Sequence, residues 1–238
     1  MAPTTLAYTG DRAFASGTKS LALKAQVAGA AGCLANQTVV FRYDSNGDGS
    51  YETTLASPKT DSTGKASYTW TLPTGVVLAD VIAVYAATTS CGASSSTAIL
   101  GVLKSTDTAG GAGWYTGGAA RVNFGFQWAS SAGTMLWQSS ATSRFKGAIS
   151  SYVKGTCPVQ SPSVSGTCAT LTGTGTLYTW NAGTNGWDQS ATGIAFAARV
   201  ADASSNKVDS FRMDFPVPTV VGETATLVTI GAGSLTAR

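Results

Sequence analysis

The residues best suited to chemistry in this sequence are the oxygen-bearing side chains of the segment Asp44-Ser-Asn-Gly-Asp-Gly-Ser-Tyr-Glu52. Asp44, Asn46 and Asp48 alternate along it, Ser50 adds a backbone carbonyl, and Glu52 supplies a final carboxylate. Calcium prefers cages built from such oxygens. The spacing therefore suggests a calcium site, and Ca²⁺ is the one cofactor that the sequence suggests.

The same segment also predicts a plain turn. Asn46-Gly47 and Asp48-Gly49 are both strong turn dipeptides between two candidate strands. The match to an EF-hand is incomplete, because its twelfth position is Leu55 where a bidentate glutamate belongs. Both interpretations stay open: a turn, or a short calcium cage that ends at Glu52.

A second candidate site is aromatic. The segment Trp180-Asn-Ala-Gly-Thr-Asn-Gly-Trp187 places two indoles on either side of a loop rich in Asn and Gly, and Tyr178 lies two residues before it. Aromatic side chains line many small-molecule sites, and a sugar ring presents a flat face to such a surface. These three residues are therefore candidates for glycan binding. The alternatives are an aromatic pair across a hairpin or ordinary core packing.

The residue inventory argues against an enzyme. The chain contains no histidine, which excludes Ser–His and Cys–His nucleophile systems and His-ligated metal centres. Glu52 and Glu223 are its only glutamates, so a pair of catalytic carboxylates has few candidates. Asp209 and Asp214 lie close in sequence, but Arg212 and Asp214 are expected to share a strand face as a solvated ion pair. We predict no catalytic residues.

Four cysteines indicate two disulfides. Cys33, Cys91, Cys157 and Cys168 include no Cys-x-x-Cys pair of the kind that binds zinc. Four cysteines allow three pairings, and a division of the chain into two halves favours Cys33 with Cys91 and Cys157 with Cys168. Because disulfides persist in oxidising compartments, we predict a secreted or cell-surface protein.

Charge and hydropathy narrow the choice of partner. The net charge is +3 and no run of Lys or Arg occurs, so nucleic acid is not an expected partner. No window has the roughly 18 uninterrupted apolar residues that a membrane-spanning helix needs. The partners that remain are another surface protein, further copies of this chain in a fibre or sheath, or a glycan.

Strands rather than helices must position these residues. The helix formers Glu, Lys, Leu and Met are scarce, whereas β-branched residues and glycine turns are abundant. Short alternating segments recur throughout; in Thr38–Tyr43, for example, Val39 and Phe41 share one face. Residues 60–70 place a polar glycine turn directly before an alternating strand, which is typical of a hairpin. We predict an all-β fold.

The chain divides at residues 105–113, which are rich in Gly, Ala, Ser and Thr and predict a flexible linker. Before it, residues 1–104 predict an antiparallel β-sandwich with turns at regular intervals. After it, residues 114–238 predict a second antiparallel β domain, either a sandwich or barrel-like. In that half, apolar residues recur at every second position from Ala120 to Trp128.

Residues 3–104 resemble the bacterial Ig-like domains that occur in tandem on secreted and cell-surface proteins. The segments that carry the resemblance, in this order, are Tyr8-Thr-Gly-Asp11, Thr38-Val-Val-Phe41, Asp61-Ser-Thr-Gly-Lys-Ala and Ala83-Val-Tyr-Ala-Ala. The resemblance implies an Ig-like sandwich used as a spacer, stalk or adhesive module, without catalysis. Cys33 and Cys91 are not part of the family's general pattern.

Residues 113–215 resemble a β domain found toward the C-terminus of large secreted bacterial proteins. The segments are Gly113-Trp114, Gly117-Gly118, Phe124-Gly-Phe126 and Gly173-Thr-Gly-Thr-Leu177. That domain typically opens on Gly-Gly-Gly-Trp, and this sequence has Gly111-Ala-Gly-Trp114 instead. The resemblance implies a surface protein with no assigned active site.

These expectations combine into one predicted function and one alternative. The first is an exported bacterial structural or adhesive protein of the cell surface or extracellular space, non-enzymatic and capable of self-assembly. The alternative is a carbohydrate-binding or accessory module of a larger secreted polysaccharide-processing protein.

Overall fold

The computed structural model describes residues 1–15, 18, 20–46, 49–103, 109–117, 120–139, 142–155, 166–184, 186–203, 209–215 and 228–237. Strands dominate these residues, as predicted, and a short 3-10 turn at Ala31–Cys33 follows the third strand. The described part of the chain contains no helix that is long and apolar enough to cross a membrane.

Described residues up to Leu103 form a two-sheet sandwich of eight strands. These strands are β1 (Thr4–Tyr8), β2 (Ala13–Ala15), β3 (Ser20–Gly29), β4 (Val39–Asp44), β5 (Thr53–Ala56), β6 (Lys65–Thr71), β7 (Leu78–Tyr85) and β8 (Ser94–Leu103). One sheet has the order β1-β3-β6 and the other β2-β8-β7-β4-β5. Neighbours are antiparallel except β2 and β8, which are parallel. We call this unit the sandwich.

Alternation along β3 shows how the sandwich core forms. Leu21, Leu23, Ala25 and Val27 are buried, whereas the residues between them face outward or are half-buried. Successive side chains of a strand point to opposite faces, so this pattern places one apolar face against the second sheet. Burial of such a face stabilises the sandwich by about 25 cal/mol for each Å² of apolar surface.

The first predicted disulfide is confirmed. Cys33 in the 3-10 turn is bonded to Cys91, which precedes β8, with a Cα–Cα distance of 5.8 Å. The bridge closes a loop of 58 residues, for which chain entropy predicts about 4 kcal/mol of stabilisation. It joins a turn beside one sheet to a segment that enters the other sheet.

The predicted turn after Asp61 is present, but the prediction that it closes a hairpin is wrong. The Oδ1 atom of Asp61 accepts hydrogen bonds from the backbone N–H groups of Thr63 (2.8 Å) and Lys65 (3.0 Å). The strand that follows, β6, pairs with β3, whereas the strand before it, β5, pairs with β4 in the other sheet. The turn therefore carries the chain from one sheet to the other.

In the described residues from Ala109 onward, nine strands form a single antiparallel sheet. They are β9 (Ala109–Gly117), β10 (Ala120–Ala129), β11 (Ala132–Ser139), β12 (Ser143–Gly155), β13 (Gly166–Asn181), β14 (Gly186–Ala203), β15 (Ser210–Asp214), β16 (Val228–Thr229) and β17 (Ala232–Ala237). Their order is β16-β15-β14-β13-β12-β11-β10-β9-β17. The sheet curls until β17 approaches β14 and β16 approaches β9, so it is a nearly closed barrel. We call this unit the barrel.

Aromatic side chains fill the barrel. The rings of Phe124 and Phe211 stack with centroids 3.9 Å apart, and Tyr115 packs against both. The indole N–H of Trp137 donates to the Tyr115 hydroxyl at 3.0 Å, which satisfies a polar group in the core. The predicted alternation is thus confirmed from Val122 to Trp128 as the inner face of a barrel strand.

Asp209 helps to close the barrel. Its Oδ2 atom accepts a hydrogen bond from the backbone N–H of Leu235 in β17 at 2.7 Å. Its Oδ1 atom accepts one from the N–H of Ala203, the last residue of β14, at 3.0 Å. One carboxylate therefore links β14 and β17, which are not hydrogen-bonded neighbours in the sheet.

The prediction of a flexible linker over residues 105–113 is wrong for its second half. Ala109–Gly117 is strand β9, which pairs with both β10 and β17; residues 104–108 lie outside the described part. A Cβ atom on Gly101 of β8 would lie 3.0 Å from the carbonyl oxygen of Gly111. The small residues here allow strands of the sandwich and the barrel to approach closely. In the sequence, the same small residues indicated a flexible linker.

Candidate binding cleft between the sandwich and the barrel

The sandwich and the barrel meet face to face. In β7, Ala79, Val81 and Ala83 point into the sandwich core, so Asp80 and Ile82, which alternate with them, point outward. On the barrel, a Cβ atom on Gly125 of β10 would lie 2.5 Å from Cγ2 of Ile99, a residue of β8 with 1% exposure. Ile99 therefore packs against a glycine of the barrel and not in the sandwich core.

A buried ion cluster lies in this contact. Asp44 and Asp80 are paired in the β4–β7 register, which places both carboxylates side by side on the outer face of the sandwich. Arg144 of β12 reaches them from the barrel: its Nη2 lies 2.7 Å from Oδ2 of Asp44 and its Nη1 lies 3.2 Å from Oδ2 of Asp80. All three side chains are at most 3% exposed. In the sequence, Arg144 lies 64 positions after Asp80 and 100 positions after Asp44.

Burial controls the ionisation of this cluster. It raises the pKa of Asp80 to about 6; Arg144 opposes the rise, Asp44 adds to it, and the hydrogen bond from Tyr51 opposes it. Burial also lowers the pKa of Arg144, but Asp80 and Asp44 outweigh that effect, so the guanidinium pKa is above its ordinary value. Arg144 therefore stays charged, while Asp80 takes up a proton in mildly acidic solution.

Tyr51 of the sandwich and Gln138 of the barrel extend the cluster along the interface. The Tyr51 hydroxyl lies 3.1 Å from Oδ1 of Asp80 and 3.4 Å from Oε1 of Gln138, which belongs to barrel strand β11. Burial, followed by the charge of Asp80, raises the pKa of Tyr51 well above its ordinary value. The phenol is therefore neutral and serves as a donor between the two units.

A second polar contact crosses the interface beside β2. The Nη1 atom of Arg12 donates to Oδ1 of Asn123 in β10 at 3.0 Å, and Nδ2 of Asn123 donates to Oγ1 of Thr97 at 3.1 Å. Burial and then the charge of Arg121 lower the pKa of Arg12 to about 9, and Tyr8 opposes this. Two separate polar contacts thus fix the orientation of the sandwich on the barrel.

The strands on either side of the segment from Asp44 to Glu52, β4 and β5, pair as antiparallel neighbours, as the turn interpretation predicts. Gly49 has a φ of +93°, and its N–H donates to Oδ2 of Asp44 at 2.9 Å. A Cβ atom there would contact the Trp187 ring and lie 2.8 Å from Nη1 of Arg144. Gly49 is therefore required both by its backbone conformation and by the close approach of the barrel.

The calcium interpretation of this loop stays a prediction. Oδ2 of Asp44 is bonded to Arg144 and to the N–H of Gly49, while Oε1 of Glu52 accepts hydrogen bonds from the N–H and the hydroxyl of Ser45. Asp48 lies outside the described residues. Among the residues that are described, no group of three or more His, Cys, Asp or Glu side chains is placed to hold a metal ion.

Trp180 and Trp187 form the predicted aromatic pair across a hairpin. They are directly opposite in the β13–β14 register, and their rings meet edge to face with centroids 5.4 Å apart. In the turn, Oδ1 of Asn181 accepts from the N–H of Gly183 at 2.9 Å, and its Nδ2 donates to Asp188 at 2.6 Å. Tyr178 lies opposite Arg144 in the β12–β13 register.

The loop and the aromatic hairpin line one cleft of about 550 Å³. Glu52 and Ser50 come from the loop, Arg42 from β4, Gln138 from β11, and both tryptophans from the hairpin. The structure thus brings together the two candidate sites that the sequence treats separately. Of the predicted ligand residues, Trp180 and Trp187 line this cleft and Tyr178 does not.

The remaining predicted features fall elsewhere. Nε of Arg212 lies 2.5 Å from Oδ1 of Asp214, which confirms the ion pair on a strand face. Cys168 is disulfide-bonded, but Cys157 lies outside the described residues, so the second pairing stays a prediction.

Sequence reasoning missed Arg144, Asp80 and Gln138. Arg144 has no distinctive local pattern, because charged residues are common on the outer face of a strand. Asp80 did leave a signal: it interrupts the apolar segment Val76-Val-Leu-Ala-Asp-Val-Ile-Ala-Val84. An acid within such a segment is buried at a cost, which predicts a cationic partner from elsewhere in the chain.

Comparison with known proteins adds no relative: no family model matches the chain, and no curated protein matches it. The two resemblances noted in the sequence therefore stay predictions.

Proposed function

We propose that the chain is a non-enzymatic, exported bacterial protein of the cell surface or extracellular space, with a structural or adhesive role. The observation that carries this proposal is the buried contact in which Arg144 of the barrel lies between Asp44 and Asp80 of the sandwich. A spacer or stalk must keep its units in a fixed orientation. Buried, directional ionic contacts at the junction serve that purpose.

Two further observations support the proposal. The disulfide between Cys33 and Cys91 favours an oxidising compartment, which is where such bonds persist. The sequence without histidine lacks the most common general acid–base residue of enzymes.

Association between copies would use the edges of the sandwich. Within the described strands, β1 and β6 end one sheet, and β2 and β5 end the other. An edge strand presents backbone N–H and C=O groups on which a strand from another molecule can add. In the barrel each end strand instead approaches another strand of the same sheet, β17 approaching β14 and β16 approaching β9. We therefore expect a fibre or sheath to be built through the sandwich.

Light scattering after size-exclusion chromatography, combined with negative-stain electron microscopy, tests self-assembly. We expect association that grows with concentration and is reduced by Thr54→Lys on the edge strand β5, because a charge on an edge blocks pairing. The matched control is Thr116→Lys, an exposed threonine of barrel strand β9. A protein that stays monomeric at all concentrations, or that loses assembly equally in both variants, would contradict this route.

A second candidate function is carbohydrate binding, as an accessory module of a larger secreted polysaccharide-processing protein. The observation that favours it is the position of Trp180 and Trp187 in a cleft of about 550 Å³ rather than in the barrel core. Screening of the wild-type protein on a glycan array tests this candidate. Absence of binding to any glycan would reject it and leave the structural proposal unaffected.

A further inference from the structure

We propose that the cleft is a composite glycan site that takes an uncharged pyranose sugar, with the stacking surface supplied by the barrel and the hydrogen-bonding groups supplied largely by the sandwich. This inference rests on the second candidate function and deepens it by naming the ligand class and the residues from each unit.

The stacking surface comes from the aromatic hairpin. Trp180 and Trp187 are both half-buried, and they meet edge to face at an interplanar angle of 73°. In such a pair each ring keeps at least one face that the other ring does not cover. The cleft volume of about 550 Å³ lies within the usual range of small-molecule sites, roughly 300–1,000 Å³. A ring-shaped ligand therefore has both the room and a flat surface.

The tryptophans are held in place before any ligand arrives. The Trp187 ring lies against Gly49, whose N–H is bonded to Asp44 of the ion cluster. The turn between the two tryptophans is closed by hydrogen bonds of Asn181. A site whose walls are already fixed loses less conformational entropy on binding, which favours affinity.

The polar groups of the cleft suit hydroxyls. Arg42 is exposed and lines the cleft, and within the described part of the chain no carboxylate forms an ion pair with it. Glu52 uses Oε1 for Ser45, and this hydrogen bond lowers its pKa, so the group is a charged acceptor at neutral pH. Gln138 adds an amide. A sugar hydroxyl is both donor and acceptor and can therefore satisfy either kind of group.

The charge balance selects the ligand class. Arg42 and Glu52 contribute one positive and one negative charge to the lining, and the nearby cluster of Arg144 with Asp44 and Asp80 has no excess of positive charge. An acidic sugar would meet Glu52 and the aspartates as like charges, which disfavours binding. An uncharged sugar avoids that cost and still uses every donor and acceptor.

The site is complete only when the sandwich and the barrel are docked. Arg42 and Glu52 belong to the sandwich, whereas Gln138 and both tryptophans belong to the barrel. The distance between these two walls is set by Arg144 and its aspartates and by the contact of Tyr51 with Gln138. Neither unit alone presents the full set.

Titration calorimetry of the whole chain tests the inference. The probes are soluble neutral tetrasaccharides of glucose, galactose, mannose and N-acetylglucosamine, with an oligogalacturonate as the acidic comparison. We expect a neutral tetrasaccharide to bind, and Trp180→Ala, Arg42→Met and Glu52→Gln each to weaken it by about tenfold, equivalent to 1.4 kcal/mol. The matched controls are Trp114→Ala and Arg199→Met, a tryptophan and an arginine outside the cleft, which should change the affinity less than about twofold.

The outcomes separate the composite site from carbohydrate binding in general. If a neutral sugar binds and Trp180→Ala abolishes binding while Arg42→Met and Glu52→Gln leave it unchanged, the barrel binds alone and the composite site is wrong. If the oligogalacturonate binds more tightly than every neutral probe, the ligand class is wrong. If no probe binds, the cleft is not a sugar site. Glu52→Gln changes an exposed side chain, so its result does not depend on a folding defect.

Discussion

Asp80 is a single residue whose ionisation depends on the docking of the two units. It lies on the outer face of β7, where a free sandwich would expose it to water, and the barrel covers it to 3% exposure. Burial then raises its pKa, and Arg144, Asp44 and Tyr51 are the charged and titratable groups that face it. The carboxylate therefore reports on the integrity of the interface.

We expect the free energy of unfolding to depend on pH through Asp80. Its pKa is about 6 in the folded protein against 3.8 as the ordinary value, so between these pH values the folded state binds a proton that the unfolded state does not. The resulting stabilisation is fully present below about pH 4 and is lost as the pH rises through 6. Two pKa units correspond to about 3 kcal/mol as an upper figure.

Urea unfolding followed by tryptophan fluorescence at pH 4, 5, 6 and 7 measures this effect. The stability of the wild type relative to Asp80→Asn should fall as the pH rises across this range, because the amide does not titrate. Asp214→Asn, which removes a carboxylate 27% exposed on the barrel surface and outside the interface, is the matched control for the loss of one carboxylate. Parallel pH profiles for the wild type and Asp80→Asn would show that Asp80 titrates normally.

At the scale of elements, two hairpin loops from different units meet at Gly49. The loop between β4 and β5 needs a positive φ at this residue, and the hairpin of β13 and β14 places Trp187 where a side chain would project. The backbone conformation and the packing of Trp187 therefore both require glycine at this position. Gly75 offers a comparison, because it has a similar φ of +84° and nothing within 4 Å of a Cβ atom.

We expect Gly49→Ala to cost more stability than Gly75→Ala. At Gly75 the substitution brings only the cost of a left-handed conformation, about 1 kcal/mol. At Gly49 it adds displacement of Trp187 and Arg144, for which overpacking costs of about 1–3 kcal/mol apply. Chemical denaturation of both variants measures the difference, and circular dichroism checks the fold. Equal losses of stability in the two variants would mean that the hairpin of β13 and β14 can shift to accommodate the added methyl group.

Strands with a hydrophobic alternation were predictable from the sequence, and strands made of small residues were not. β4 and β10 carry alternating apolar side chains, and the sequence places both correctly to within a few residues. β9 begins Ala109-Gly-Gly-Ala-Gly113 and has low strand propensity, so it was predicted as a linker. It is a strand because β10 and β17 pair with it on both sides and because β8 needs small neighbours.

The candidate site was predictable only in its parts. The turn dipeptides marked the loop that ends at Glu52, and the two indoles marked the hairpin, since both signals are local. Their convergence depends on how the sandwich docks on the barrel, which involves pairs such as Asp44 with Arg144 that lie 100 positions apart. No local pattern encodes such a pairing.

At the scale of the whole molecule, the interface contains more than one kind of contact. The contact of Ile99 with Gly125 is apolar. Arg12 donates a charged hydrogen bond to the neutral amide of Asn123. The contact of Arg144 with Asp44 and Asp80 is ionic. A buried charge without its partner is costly, so the ionic cluster is stable only when both units are docked. Because of this dependence, we expect the sandwich and the barrel to fold and dock together.

We therefore expect the wild-type chain to unfold in a single calorimetric transition and Arg144→Ala to separate it into two. Removal of one member of a buried ion cluster costs about 3–5 kcal/mol, because the remaining charges are left unpaired. Here that loss falls on Asp44 and Asp80 at the interface, so the coupling between the sandwich and the barrel should weaken more than either core.

Arg212→Ala is the matched control: its partner Asp214 is partly exposed, so the loss of stability should be at most about 1 kcal/mol and the single transition should persist. If Arg144→Ala lowers the transition temperature without dividing the transition, the apolar contact of Ile99 and the contact of Arg12 with Asn123 hold the units together without the cluster.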